Sequence, residues 1–221
     1  MDPREAVQSA AYPPLRLPAF GPAATGSPLP PVLRIGAFLV VSVLASLIAF
    51  AFVMAATRPA VVFLGDSVTA GWGASAAAAA FPALVDPSAP VDGEPGAPSG
   101  VFVGRSWRAG TAIVELGIND WVLGVSVATY RANMERVLAS VSADHLVVVV
   151  PYAIGGTRAG AWDAYADALV AVARADPRAR IVDLRAAFGP PSADLLAPDL
   201  IHPNDAGHAL IARLVGAALR H

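Results

Sequence analysis

The 221-residue chain contains no cysteine. That excludes a disulfide framework and argues against a lipoprotein, since no thiol is present to carry the lipid, and it leaves the compartment otherwise open. Charge is scarce too: 14% of residues are charged and the net charge is -2. A balance so near neutrality removes the electrostatic case for a nucleic-acid partner. No internal repeat is evident, and 221 residues leave no room for a second enzyme domain beside a core of about 150 residues.

What the chain has in excess is apolar surface. Hydrophobic residues make up 56% of it, too many for a plain soluble protein, and they point to a membrane segment. The run 36–56, GAFLVVSVLASLIAFAFVMAA, carries no charge. At 1.5 Å per residue it can cross the roughly 30 Å hydrocarbon layer, so a transmembrane helix is expected over 35–57. The competing reading is a signal peptide cleaved near Val53-Met54-Ala55, leaving a secreted protein. The run exceeds the roughly 7 to 15 residues of a signal core, and about 35 residues precede it, which favours a retained anchor. Arg16 and Arg34 lie before it and Arg58 after it. That bias places the N-terminus in the cytoplasm and the remainder outside the cell membrane. Residues 1–34, with Pro13-Pro14 and Pro30-Pro31, read as a disordered cytoplasmic tail.

From residue 58 to 221 short apolar runs alternate with helical patterns, as in a parallel sheet covered by helices on both faces. Strands are expected at 61–64, 112–116, 145–150 and 180–184, with a short one at 101–103. Helices are expected at 129–142, 159–175 and 204–220. The stretch 82–100 is dense in Pro, Gly, Ala and Ser and reads as an exposed loop.

The segment Val61-Val62-Phe63-Leu64-Gly65-Asp66-Ser67 reads as a buried strand entering a tight turn that presents a serine. Such a triplet alone usually only closes a loop. Two later segments give it weight: Gly117-Ile118-Asn119-Asp120 after an apolar run, and Asp199-Leu200-Ile201-His202-Pro203 before the last helical pattern. In an open parallel sheet the loops leaving the carboxyl ends of the strands converge, and all three segments belong to that edge. Ser67 is then the candidate nucleophile, His202 its base and Asp199, three residues before the histidine, the group that orients the imidazole. A surface or capping histidine is the alternative for His202. The Asn119 amide and the backbone N–H of Ser67, at the start of a helix expected after its turn, are candidate donors to an oxyanion, with Gly104 a third. For Asn119 the alternative is an Asx turn closing the loop.

These blocks resemble the SGNH (GDSL-type) hydrolases. FLGDSVTAGWG is similar to the first block of that family and carries Ser67; LGIND is similar to the third and carries Asn119; DLIHPNDAGHALIA is similar to the fifth and carries Asp199 and His202. The resemblance spans roughly 60–220 and implies a flavodoxin-like α/β three-layer sandwich with a central parallel sheet. It also implies a metal-independent Ser-His-Asp mechanism with no cofactor, and ester substrates ranging from acetylated sugars to lipids. The second block departs from the pattern. Val103-Gly104-Arg105-Ser106 is its best match, yet about a dozen residues separate Gly104 from Gly117, too few for the helix the pattern places there. That short, arginine-bearing variant resembles domains attached to membrane acyltransferases of the cell envelope.

The expected protein is therefore a membrane-anchored, extracytoplasmic serine esterase acting on a small-molecule or glycan ester. Transfer of the acyl group to an envelope sugar is a second reading, and a non-catalytic glycan-binding domain a third. Arg105 and Arg108 beside the motifs can bind an anionic group or form a solvated pair. Trp72, Trp107 and Trp121 can stack on a sugar or pack in the core. Nothing in the sequence assigns an oligomeric state.

Overall fold

The computed structural model describes residues 31–56, 58–155 and 162–220. The chain divides into two units, Met1–Phe52 and Val53–His221. The first contains most of helix α1, Pro31–Ala56. Phe38, Leu39, Leu47, Ile48, Phe50 and Phe52 on it are all more than half exposed. Over the residues whose side chains are described, no helix is long and apolar enough to cross a membrane. The helical backbone continues beyond them at both ends, and it takes in residues 31–34, expected to belong to the tail. The remainder of that tail, 1–30, lies outside the described residues.

The second unit is built on the strand with the strongest apolar run. Leu146, Val147, Val148, Val149 and Val150 in β4, Val141–Val150, are all buried, as expected of a strand covered on both faces. Around it lie β1 (Val61–Gly65), β2 (Val91–Gly93), β3 (Trp107–Glu115) and β5 (Ala179–Asp183). All pairings are parallel and the order is β2-β1-β3-β4-β5, the flavodoxin-like doubly wound arrangement with its switch point between β1 and β3. Right-handed crossovers on either side of that point put helices on opposite faces. Accordingly α2 (Phe81–Val85) packs with α7 (Asp205–Leu219), and α4 (Val127–Ser140) packs with α5 (Trp162–Ala175), while the short α3 (Ile118–Leu123) and α6 (Arg185–Phe188) follow β3 and β5.

The helices follow from local sequence. Ser126 caps α4 by accepting from Thr129 N–H at 3.1 Å, and Tyr130, Met134, Val137 and Leu138 form its buried stripe. Asn204 caps α7 through Gly207 N–H at 3.0 Å. Four of the expected strands are present. β3 and β4 each start four or five residues earlier than their apolar runs, because Trp107, Arg108 and Ala109 pair with Val141, Ser142 and Ala143. Two expectations fail. Residues 101–103 form no strand but overlap a 3-10 turn, Ser99–Phe102. The stretch 82–100 is not simply an exposed loop: it holds most of α2 and the edge strand β2, and Ala97 and Ser99 are buried. The start of the helix expected from 159 lies outside the described residues; α5 is described from Trp162.

Candidate active site

Ser67 sits two residues past the end of β1. No helix follows it. Residues 67–73 form consecutive turns, closed by Ala70 N–H to Asp66 O at 2.9 Å and Trp72 N–H to Ser67 O at 2.9 Å. Gly71 (φ 90°) and Gly73 (φ 89°) end any helical path. The helix terminus expected at Ser67 is therefore absent: the N–H groups of Val68, Ala70, Gly71 and Trp72 are spent on acceptors within the turn. Gly73 is also needed for space: a Cβ there would lie 2.2 Å from Pro203 O and 2.9 Å from His202 Cβ. The serine turn and the histidine loop thus touch backbone to backbone.

The loop before α7 delivers the other two groups. It closes on itself through an antiparallel bridge of Leu196 with Pro203, and Ala197 N–H donates to His202 O at 2.8 Å. Leu200 at its tip has φ 55°, a left-handed conformation costing a non-glycine residue about 1 kcal/mol or more. It is held by Leu200 N–H to Ala197 O and Gly155 N–H to Leu200 O, both 2.8 Å. This turn lets Asp199 Oδ1 accept from Ile201 N–H (2.9 Å) and His202 N–H (3.0 Å). Asp199 Oδ2 lies 2.6 Å from His202 Nδ1, and His202 Nε2 lies 2.9 Å from Ser67 Oγ. A carboxylate only accepts, so Nδ1 carries the imidazole proton and Nε2 is free to accept from the Ser67 hydroxyl. Partial burial raises the Asp199 carboxyl, but the hydrogen bonds from His202 and from Ile201 N–H outweigh it and hold the group below its ordinary range. It stays ionised beside the imidazole.

A cavity of about 220 Å³ opens over Ser67, walled by Val68, Trp72, Pro95, Gly96, Ile118, Asn119, Ile201 and His202. Asn119, in the short helix α3 (Ile118–Leu123) after β3, turns its Nδ2 toward Asp66 Oδ2 (3.1 Å) and Ala97 O (3.3 Å). Gly96 has φ 76°. Among the described residues no hydrogen-bond acceptor meets the N–H of Ser67 or of Gly96. Trp72 is 53% exposed, with its ring centroid 5.3 Å from that of His202. Its loop is tied to α7: His208 Nε2 is 3.0 Å from Trp72 O, Phe81 N–H donates to His208 Nδ1 at 3.2 Å, and Asp205 accepts from Ser75 N–H and Oγ at 2.7 Å each. Burial lowers the His208 pKa, so the ring serves as a neutral strut.

Ser67, Asn119, Asp199 and His202 are thus brought together, and Gly104 is not. Gly104 is exposed and lies three residues before the start of β3, whereas the site is built on loops leaving the carboxyl ends of the strands. Gly96, in the loop after β2, occupies the place expected of it. The signal was available as Val91-Asp92-Gly93-Glu94-Pro95-Gly96, a minimal strand followed by turn residues. Gly96 also restores the missing length before Gly117, with the 3-10 turn in between. Arg105 does not reach the pocket; it pairs with Asp92 and Glu94 and lies over Phe102. Arg108 is exposed outside the pocket lining. Trp107 donates to Asp92 at 2.8 Å, and Trp121 is buried against Trp162, so Trp72 is the tryptophan of the three that reaches the site. A larger hollow of about 350 Å³, lined by Thr111, His145, Arg180 and Arg220 among others, contains no activated nucleophile. Among the described residues no group of His, Asp and Glu side chains is arranged to hold a metal ion.

The fold recurs in solved structures. A lipase from a goat rumen metagenome, Lip_vut3, is 15% identical with a TM-score of 0.60, over 73% of this chain and 97% of that one. A lipase/acylhydrolase from Enterococcus faecalis is 21% identical with a TM-score of 0.59, over 74% and 96%. A catalytic mutant of Axe2, an acetylxylan esterase from Geobacillus stearothermophilus, is 18% identical with a TM-score of 0.53, over 70% and 91%. No curated protein sequence matches the chain. The sequence model of the GDSL-like lipase/acylhydrolase family matches residues 63–210, from the middle of β1 into α7 and across every residue of the site. The chain therefore belongs to the GDSL-like lipase/acylhydrolase family of carboxylic ester hydrolases.

Proposed function

We propose that this protein is a membrane-anchored, extracytoplasmic serine esterase that removes short O-acyl groups from cell-envelope glycans. The observation that carries the chemistry is the relay Ser67 Oγ, His202 Nε2, His202 Nδ1, Asp199 Oδ2, with spacings of 2.9 and 2.6 Å, beside two unpaired backbone N–H groups and a side-chain amide. His202 takes the Ser67 proton as Oγ attacks the ester carbonyl, and Asp199 steadies the imidazolium that forms. Negative charge gathers on the carbonyl oxygen, where Ser67 N–H, Gly96 N–H and the Asn119 amide are the donors. Each such donor lowers the barrier by about 3 kcal/mol. His202 then gives its proton to the leaving alcohol. Water, activated by the same imidazole, releases the acyl group and restores the serine.

The substrate side rests on the pocket. Its volume of about 220 Å³ and walls of Val68, Ile118 and Ile201 suit a short acyl chain, and exposed Trp72 beside His202 offers a flat apolar face of the kind that stacks on a sugar ring. One similar structure is of an acetylxylan esterase, which is compatible with an acetylated glycan. Anchoring rests on the uncharged run 36–56, on the helix that contains it and on its exposed apolar side chains.

The test is turnover of acetylated xylo-oligosaccharide, p-nitrophenyl acetate and p-nitrophenyl palmitate by the full chain, with free acid and acyl-sugar product measured separately. The reading expects free acetate and little palmitate release. Acetyl transfer to added sugar in preference to water would replace hydrolysis by transfer, and faster palmitate release would overturn the short-chain assignment. Fractionation of cells expressing the full chain, with protease added outside, tests the anchor: a carbonate-resistant membrane protein cleaved from outside is expected, and a soluble one contradicts it.

A further inference from the structure

Beneath the serine turn lies a cluster of ionisable side chains that the reaction above does not use. Asp66 and Glu115 are buried where the adjacent strands β1 and β3 end, with Glu115 in register with Gly65, the residue before Asp66. Two buried carboxylates side by side with no cation between them have only acceptors to offer, so the arrangement suits a pair that keeps one proton. Asp66 Oδ1 already accepts from Val68 N–H (3.0 Å) and Oδ2 from Asn119 Nδ2 (3.1 Å). Glu115 Oε2 accepts from Thr69 Oγ1 (3.1 Å), while Glu115 Oε1 is buried with no protein donor aimed at it. Oε1 is the oxygen left to carry the proton.

We propose that Glu115 and Asp66 act as one positioning unit for the oxyanion donors: Glu115 donates its carboxyl proton to Asp66, and the ionised Asp66 holds the Asn119 amide and the Val68 N–H in place. The proposal rests on the esterase reading of the site. Asn119 Nδ2 has two hydrogens. The bond to Ala97 O is the longer, at 3.3 Å against 3.1 Å to Asp66, so it yields to the developing oxyanion while Asp66 keeps the amide plane fixed.

Every charged or titratable group facing the pair is consistent with one shared proton. Asp120 on α3 is occupied by Ser99 N–H (2.8 Å) and Ser99 Oγ (2.6 Å). Tyr130 on α4 donates to Leu116 O and Tyr152 after β4 donates to Ile201 O, both 2.9 Å. His202 approaches from the loop before α7 and its charge favours an ionised Asp66. Among the described residues no arginine pairs with Asp66, Glu115 or Asp120. Burial pushes Asp66 up to about 6, and burial together with the Asp66 charge pushes Glu115 well above the carboxylate range. Both shifts run toward keeping a proton in the pair, and the unpartnered Glu115 Oε1 is the oxygen to which we assign it.

The experiment compares Glu115→Gln and Glu115→Leu with the parent full chain, on p-nitrophenyl acetate and by infrared spectroscopy. Glutamine keeps a neutral donor for Asp66; leucine removes it. The expected kcat is within about threefold of the parent for Glu115→Gln and about 30- to 100-fold lower for Glu115→Leu, with KM changed less than about twofold, because the lost alignment matters only in the transition state. Equal kcat losses in both variants, no loss in the leucine variant, or a loss carried by KM would overturn the positioning role. If leucine unfolds the protein, Glu115→Met makes the same comparison. In the infrared, the parent at pH 7 is expected to show a neutral-carboxyl C=O stretch that Glu115→Gln removes, and its absence would overturn the shared proton. A folded parent with that band but no turnover would overturn the esterase reading, and the positioning role with it, while leaving the acid pair in place.

Discussion

Two aspartates flank Ser67 in this site, one in the strand-end cradle and one in the loop before α7, and the same side chain behaves in opposite ways in the two regions. Asp66 is fully buried, has no cationic partner among the described residues, and is pushed up to about 6 chiefly by burial. Asp199 has a side chain 45% exposed, and the donors around it hold it below its ordinary range. Environment, not residue type, divides the labour. The exposed aspartate can stabilise an imidazolium that forms and disappears each turnover, while the buried one is suited to a fixed task, holding donors still. The two regions also differ in what fixes them. The cradle is held by parallel strands and a continuous core, whereas the acid-base loop depends on a few backbone hydrogen bonds and the strained tip at Leu200.

The largest effects should come from the relay itself. Ser67→Ala and His202→Ala are each expected to lower kcat for ester hydrolysis by about 10⁶-fold, and Asp199→Asn by about 10⁴-fold. Equal losses at all three positions would show that the loop aspartate does more than orient the base. On the cradle side, Asn119→Ala should lower kcat by about 10²- to 10³-fold with KM nearly unchanged, as measured by steady-state kinetics. A loss confined to KM would mean that Asn119 binds ground-state substrate instead.

A pair of glycines tests the coupling between the regions. Gly73→Ala would drive a Cβ into the Pro203 carbonyl, and is expected to lower kcat by about 10-fold or more while costing about 1–3 kcal/mol of stability, read by urea unfolding. Gly104→Ala shares the positive φ but has nothing within 4 Å of its Cβ. It should cost about 1–2 kcal/mol with kcat unchanged.

The smallest effect is in the pH dependence of stability, and there the two aspartates pull in opposite directions. Asp66 and Glu115 are raised, so the folded state binds more protons than the unfolded one. Their contribution is present at acid pH and is lost as pH rises through about 6 and, for Glu115, higher, by up to about 1.4 kcal/mol per pH unit for each extra proton. Asp199 is lowered, so its contribution is present above the carboxylate range and is lost as pH falls. Urea unfolding between pH 5 and 8 should therefore show stability falling with pH in the parent and a flatter profile in Glu115→Gln. A profile that steepens in the variant would contradict the raised acid pair.

Much of this site was legible in the sequence because its side chains sit in short blocks of fixed spacing. Asp199 and His202 share one turn, and Ser67 and Asn119 each follow an apolar strand. What escaped was whatever acts through backbone or through burial. Gly96 lines the pocket by backbone alone and so leaves no side-chain signature, and the strand before it, β2, is only three residues long; an exposed glycine at 104 took its place in the reading. Gly71 and Gly73 carried the information that no helix follows Ser67. Glu115 is the single charge in Ala112-Ile113-Val114-Glu115-Leu116, but its meaning depends on Asp66 across the β1–β3 pairing, which only the register supplies.

The most direct test of the central claim, an activated serine built from both regions, is stoichiometric labelling of the folded full chain by a fluorophosphonate. The account predicts about one label per chain, located at Ser67 by peptide mapping. It also predicts loss of the label in Ser67→Ala and His202→Ala and slower labelling in Asn119→Ala. A folded chain that takes no label, or one that still takes it after Ser67→Ala, would contradict it.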